Sequence, residues 1–102
     1  MAGAEVPHFN YVGDSVLGVK AHLGAGVILS NVRLDRKSIR ISPAGGPVDT
    51  GLKKFGALIG DGCEIGCNSV INPGSVIGRE SVLYPLSRWQ GVMPERTVYK
   101  GT

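Results

Sequence analysis

Two histidines, eleven lysines and arginines, and two cysteines carry most of the chemical potential of this 102-residue chain. His8 and Tyr11 stand close together in Pro7-His8-Phe9-Asn10-Tyr11, and His22 lies farther along. A lone histidine more often serves structure than catalysis, so neither assigns a reaction by itself. The cations are concentrated. Residues 33–54 hold Arg33, Arg36, Lys37, Arg40, Lys53 and Lys54 against Asp35 and Asp49, a local charge of +4 in a chain whose net charge is +3. Such a patch suits a small anionic ligand, or else forms a solvated loop. It has no interleaved aromatics, and the overall charge is small, so nucleic acid is not an expected partner. Neither a G-x-x-x-x-G-K-[ST] loop nor a dinucleotide fingerprint is present. Cys63 and Cys67, if joined by extended chain, would lie about 13 Å apart, too far for a disulfide. Their C-x-x-x-C spacing is a poor zinc signature, so no metal is expected. With no secretory signal pattern and no transmembrane run, the expectation is a cytoplasmic protein with reduced thiols and no membrane contact.

The elements that position these groups follow from a repeat. Gly and Pro fill 22 of 102 positions, against a usual share of about 12%, which argues against a helical bundle. Aromatic residues are only 6%, so something other than bulky side chains must organise the core. From Ile59 an aliphatic recurs every six residues: Ile59, Ile65, Ile71, Ile77, Leu83. Gly60, Gly66, Asn72, Gly78 and Tyr84 follow them, and Cys63, Ser69, Ser75, Ser81 and Ser87 occupy a small slot four residues on. An earlier run reads Tyr11, Leu17, Leu23, Leu29, with Ser15, Ala21 and Val27 in the small slot. A period of six fits neither a 3.6-residue helix nor two-residue alternation. It fits short strands separated by corners, three hexads closing one triangular coil, aliphatics inward, and glycine, asparagine or proline at the corners. The fold class expected is all-β, a parallel β-helix of hexapeptide repeats with about three coils.

One domain spans 1–102: a first repeat run at 11–34, an inserted loop at 35–52, a second run at 53–88 and a C-terminal tail at 89–102. The insertion drops the hexad and contains the turn-rich Ser42-Pro43-Ala44-Gly45-Gly46-Pro47. Loops this long in compact domains are usually functional or disordered. Its basic charge favours function, and its length suffices to reach a neighbouring subunit. A solenoid this short buries little by itself.

The stretch His8 to Lys37, with its H-x-x-Y-x-G-D element, Gly24-Ala25-Gly26 and Asn31, resembles the acetyltransferase domain of bifunctional sugar-1-phosphate nucleotidylyltransferases. Asp49 to Asp61, D-T-G-L-K-K-F-G-A-L-I-G-D, resembles their archaeal type. The resemblance implies a left-handed coil, a homotrimer, and an acetyl-CoA-dependent N-acetyltransferase acting on an amino-sugar phosphate such as glucosamine-1-phosphate. It makes His8 the general base, a role suited to imidazole, whose ordinary pKa is about 6.5. It makes Tyr11, His22, Asn31, Lys37, Arg40 and Lys54 substrate contacts, the cations serving a phosphate dianion. Gly24, Ala25, Cys67 and Pro85 fall near coenzyme-contact positions. Cys67 stands where the bacterial pattern has serine, either as a weak donor to the thioester oxygen or simply as a small residue on a crowded coil.

His22 departs from the family, which commonly has asparagine there, and puts the identity of the sugar in question. Only seven residues precede His8, so the upstream basic coils and the nucleotidyltransferase domain are expected to be missing. An alternative is therefore a non-catalytic trimeric module for oligomerisation or sugar-phosphate sensing. A carbonic anhydrase of the same coil type needs three zinc-binding histidines, and this chain has two.

Overall fold

A computed structural model of the chain describes Gly3 and residues 9–41 and 48–101. Every regular element is a two-residue strand, which is what one hexad permits once its corner is subtracted. In chain order these are β1 (Tyr11–Val12), β2 (Val16–Leu17), β3 (His22–Leu23), β4 (Ile28–Leu29), β5 (Arg40–Ile41), β6 (Val48–Asp49) and β7 (Leu58–Ile59). There follow β8 (Glu64–Ile65), β9 (Val70–Ile71), β10 (Val76–Ile77), β11 (Val82–Leu83), β12 (Arg88–Trp89), β13 (Val92–Met93) and β14 (Val98–Tyr99). All but β5 and β6 form three parallel sheets, β1-β4-β9-β12, β2-β7-β10-β13 and β3-β8-β11-β14, and the chain visits each in rotation. The fold is a left-handed parallel β-helix.

Its core is the aliphatic ladder. Leu23, Leu29, Ile59, Ile65, Ile71, Ile77, Leu83 and Met93 are all buried, and partners such as Leu23 and Ile65 or Ile77 and Met93 stack in register. Burying each contributes roughly 1.5–3 kcal/mol. The small slot is equally regular: Ala21, Val27, Ala57, Cys63, Ser69, Ser75, Ser81 and Ser87 are buried. Its serines close corner carbonyls. Ser75 Oγ donates to Asn72 O at 2.8 Å and Ser87 Oγ to Tyr84 O at 2.6 Å. The same Ser75 oxygen accepts the Gly91 amide one coil on, at 3.2 Å.

Two parts of the hexad frame shift. Val12, not Tyr11, pairs with Leu29, while Tyr11 pairs with Ile28 and stays 52% exposed. The Gly13-Asp14-Ser15 corner is one residue short, so counting by six from Leu17 lands one position early. At the other end β13 and β14 lie within the segment read as a tail and pair with β10 and β11. The corner after Trp89 is shortened, with Gly91 at φ 105° and its carbonyl accepting the Trp89 indole N–H at 2.8 Å. Trp89 and Tyr99 then meet edge to face at 5.1 Å and pack against the core.

The corner glycines also work differently from expectation. Positive φ falls at Gly62, Asn68, Gly74, Glu80 and Leu86, not at Gly60, Gly66 or Gly78. Those three are places of close approach. A Cβ at Gly60 would lie 2.7 Å from Arg79 N, and at Gly66 and Gly78 it would strike the backbone nitrogens of Pro85 and Glu95.

The insertion leaves the prism after β4 and folds as an antiparallel pair, with Arg40 opposite Asp49 and Ile41 opposite Val48. Ile39, fully buried, anchors its base. Its N–H donates to Leu52 O at 2.7 Å, and its carbonyl accepts from Thr50 N at 2.9 Å and Thr50 Oγ1 at 2.6 Å. It lies against Gly74, where an added Cβ would come within 2.9 Å of Ile39 Cγ2. The insertion is thus seated on the Asn72–Ser75 corner.

Candidate functional site

Two groups of candidate residues flank the sheet β1-β4-β9-β12. The first stacks along the corner where the chain turns from β3, β8 and β11 into β4, β9 and β12. There Gly24–Ala25, Gly66–Cys67 and Tyr84–Pro85 lie one above another. Gly24 N donates to Ile65 O at 2.8 Å, Asn68 N to Ala25 O at 2.9 Å, and Leu86 N to Cys67 O at 2.9 Å. Gly24 is required by contact, because a Cβ there would sit 2.8 Å from Cys67 N. Beside this corner runs a groove of about 260 Å³ lined by His22, Gly24, Glu64, Cys67, Tyr84 and Pro85. His22 faces out beside its register partner Glu64, and the Cys67 thiol is free and exposed. The Asn10 side chain reaches the same corner, donating to Gly24 O at 2.6 Å. So His22, Gly24, Cys67 and Pro85 share one groove, with Ala25 joined through its backbone.

The second group sits at the opposite edge of the sheet. The Tyr11 hydroxyl donates to Asn31 Oδ1 at 3.1 Å, and Asn31 Nδ2 donates to Asp14 Oδ2 at 2.7 Å. The Asn31 carbonyl accepts the Phe55 amide at 2.9 Å, which draws the return of the insertion, with exposed Lys54 next in sequence, to this network. Asp14 was not singled out from the sequence. Its place in H-x-x-Y-x-G-D was the only signal, and a carboxylate orienting an asparagine leaves no mark in residue spacing.

Beyond Asn31 lies the basic cluster. Lys37 and Arg40 line a cavity of about 370 Å³ with Arg33 and Ser38. Arg33 Nη2 meets Asp35 Oδ2 at 2.6 Å. The Lys37 amide, with help from Arg33, holds the Asp35 carboxyl below the usual carboxylate range. Asp49 is likewise held low, by the Gly51 amide and the Ser38 hydroxyl. Both stay ionised near neutrality and balance part of the positive charge. His8 lies outside the described residues. Among the described residues no three His, Cys, Asp or Glu side chains converge as metal ligands, and no helix is long and apolar enough to cross a membrane.

Comparison with known proteins agrees with this architecture. Residues 56–88 match the family described as bacterial transferase hexapeptide (six repeats). The chain is 39% identical over 85 residues to a bifunctional sugar-1-phosphate nucleotidylyltransferase/acetyltransferase of Sulfurisphaera tokodaii, covering 83% of this chain and 21% of that protein. It is 35% identical over 83 residues to the bifunctional protein GlmU of Methanococcus maripaludis, covering 81% of this chain and 20% of the relative. It is also 35% identical over 92 residues to the putative uncharacterized acetyltransferase YaiX of Escherichia coli, covering 90% of this chain and 38% of that one. Fold and repeat together define a hexapeptide-repeat β-helix module, similar to modules found in acetyltransferases. More particularly, the chain resembles the acetyltransferase end of the bifunctional proteins, and it spans about a fifth of their length.

Proposed function

We propose that the chain forms a homotrimer that transfers an acetyl group from acetyl-CoA to the amine of an amino-sugar phosphate. The reading is carried by the pairing of two features across one sheet. One is an open corner groove at the positions implied for the coenzyme; the other is a Tyr11–Asn31–Asp14 network joined to a cluster of cations. The amine nitrogen attacks the thioester carbon, and its proton passes to the imidazole of His8. The carbon–sulfur bond then breaks, and coenzyme A leaves as the thiol after taking up a proton. In this reading Cys67, exposed at the groove, donates weakly to the thioester oxygen as it gains charge. Asn31, fixed between Tyr11 and Asp14, retains an N–H for the acceptor, while Lys37, Arg40 and Lys54 receive its phosphate.

Groove and cations lie at opposite edges of a sheet within one chain, so a copy alongside completes the site by bringing its cations to its neighbour's groove. The outer residues of β2-β7-β10-β13 suit that packing: Val16, Leu58, Val76 and Val92 form an aliphatic ladder four strands long. The free thiols accord with a cytoplasmic setting. The test is coenzyme A release from acetyl-CoA with glucosamine-1-phosphate, comparing wild type with His8→Ala. Loss of at least 100-fold (roughly the lower bound for a general base) is expected, and unchanged turnover in His8→Ala would remove histidine from the chemistry. A second reading, a sugar-phosphate-sensing module without turnover, draws on His22 beside Glu64, where the resembled family has asparagine. Ligand binding without turnover across several amines would favour it.

A further inference from the structure

We infer that Glu64 makes the corner groove an ammonium-binding subsite, so that the site takes an acceptor bearing a primary amine in preference to one bearing a hydroxyl at the same carbon. The inference rests on the reading just proposed and deepens it by naming the group that receives the amine. In the coil strands the first residue faces outward and the second inward. Above Glu64 that outward slot holds Val82 and Val98, and in the other sheets it holds Leu58, Val70 and Val76. Glu64 is the one carboxylate in an outward coil slot among the described residues. Glutamate suits a strand less well than valine or isoleucine, so packing gives no reason for it there.

Its carboxylate is also unengaged. Among the described residues every other Asp and Glu has a partner. Asp14 accepts from Asn31, Asp35 and Asp49 accept amides within the insertion, and Asp61 accepts Val19 N at 2.8 Å. Glu80 pairs with Arg96, and Glu95 with Arg79 and Arg96. Glu64 makes neither a side-chain hydrogen bond nor an ion pair among the described residues. The groups facing it are His22, in register on β3, Val82 on β11, and Cys67 and Tyr84 from the corner. The Lys100 ammonium lies 6.0 Å from the Tyr84 ring centroid, and Lys20 lines a separate cavity with Asp61, Arg79 and Glu80. With imidazole neutral, the groove wall carries one negative charge that no cation holds. A primary ammonium brings a compact positive charge and three donors to such a carboxylate, beside a ring nitrogen able to accept. A hydroxyl brings no charge. An acceptor with a phosphate on the neighbour's cations and an ammonium in this groove meets opposite charge at both ends.

The experiment is calorimetric titration of the full chain, at about pH 7, with glucosamine-1-phosphate and, separately, glucose-1-phosphate, which has a hydroxyl in place of the amine. Wild type is expected to bind the amine about fivefold more tightly, the scale of an ion pair still open to solvent. Glu64→Gln, which keeps the shape and removes the charge, should bring the two affinities together by weakening the amine alone. Glu64→Lys should reverse their order. Glu80→Gln, at another corner, should leave the preference intact. Equal affinities in wild type, or a preference kept in both Glu64 variants, would overturn the inference. A Glu64-dependent preference without acetyl transfer would support it while removing the enzymatic reading. Acetyl transfer with an unchanged KM for glucosamine-1-phosphate in Glu64→Gln would overturn the inference alone. Binding of neither ligand by wild type would overturn both.

Discussion

The two cysteines occupy opposite environments, four positions apart on the same coil. Cys63 fills a small slot inside the prism, where burial pushes its thiol pKa up and its Sγ contacts Gly78 O at 2.9 Å. Cys67 stands on the outer corner above Gly24 and is exposed. A thiolate is the reactive form, so a native titration with a disulfide reagent is expected to modify one thiol per chain rapidly. Cys67→Ser should abolish that fast phase, and both thiols should react once the protein is unfolded. Two fast thiols in the native protein would contradict the inward placement of Cys63. The distinction was legible in the sequence, since Cys63 sits in register with Ser69, Ser75 and Ser81, whereas Cys67 falls in the corner. The Asn31 network was less so, because residue types alone do not show which carboxylate a side-chain amide will meet.

At the scale of elements, corners decide stability as much as strands do. A Cβ at Gly66 would strike the Tyr84–Pro85 backbone of the next coil, so Gly66→Ala is expected to cost about 1–3 kcal/mol through overpacking. Gly51, with nothing within 4 Å of an added Cβ but φ at +71°, should lose only about 1 kcal/mol on change to Ala. Denaturant midpoints of the two variants check this ordering. The insertion responds to acid. Asp35 and Asp49 have folded pKa values below their ordinary ones, so each contributes stability above the normal carboxylate range. That contribution is lost as pH falls through the depressed folded values. Amide exchange at Gly51 and Lys37, corrected for its intrinsic pH dependence, should lose protection over that acidic window while the coil amides keep theirs. Simultaneous loss everywhere would contradict an insertion held by its own hydrogen bonds. Here the sequence was informative only in part. Alternation in Ser38-Ile39-Arg40-Ile41 indicated a strand, but burial of Ile39 against Gly74 joins residues 35 apart, a relation no local pattern carries.

Across the whole molecule, the hexad was readable because each inward slot must be aliphatic and each small slot must leave room for a neighbouring corner. The count failed where coils are not six residues per side, and at the start of the second run, where no strand precedes Leu58 and Lys53 is exposed. Gly13–Ser15 makes a short corner, and the tight turn at Gly91 lets Met93 and Tyr99 continue the ladder past the point where spacing stops. The outer ladder Val16–Leu58–Val76–Val92 was likewise invisible as a unit, because its members are joined only by sheet register. That ladder bears the larger claim, a catalytic site that exists only between copies. The most direct measurement reads light-scattering mass and coenzyme A release on the same chromatographic fractions, for wild type and Val76→Glu. Activity is expected to travel with a particle of three 10.7 kDa chains. Val76→Glu is expected to elute as a folded, inactive single chain. Full turnover in a 10.7 kDa particle would contradict the account.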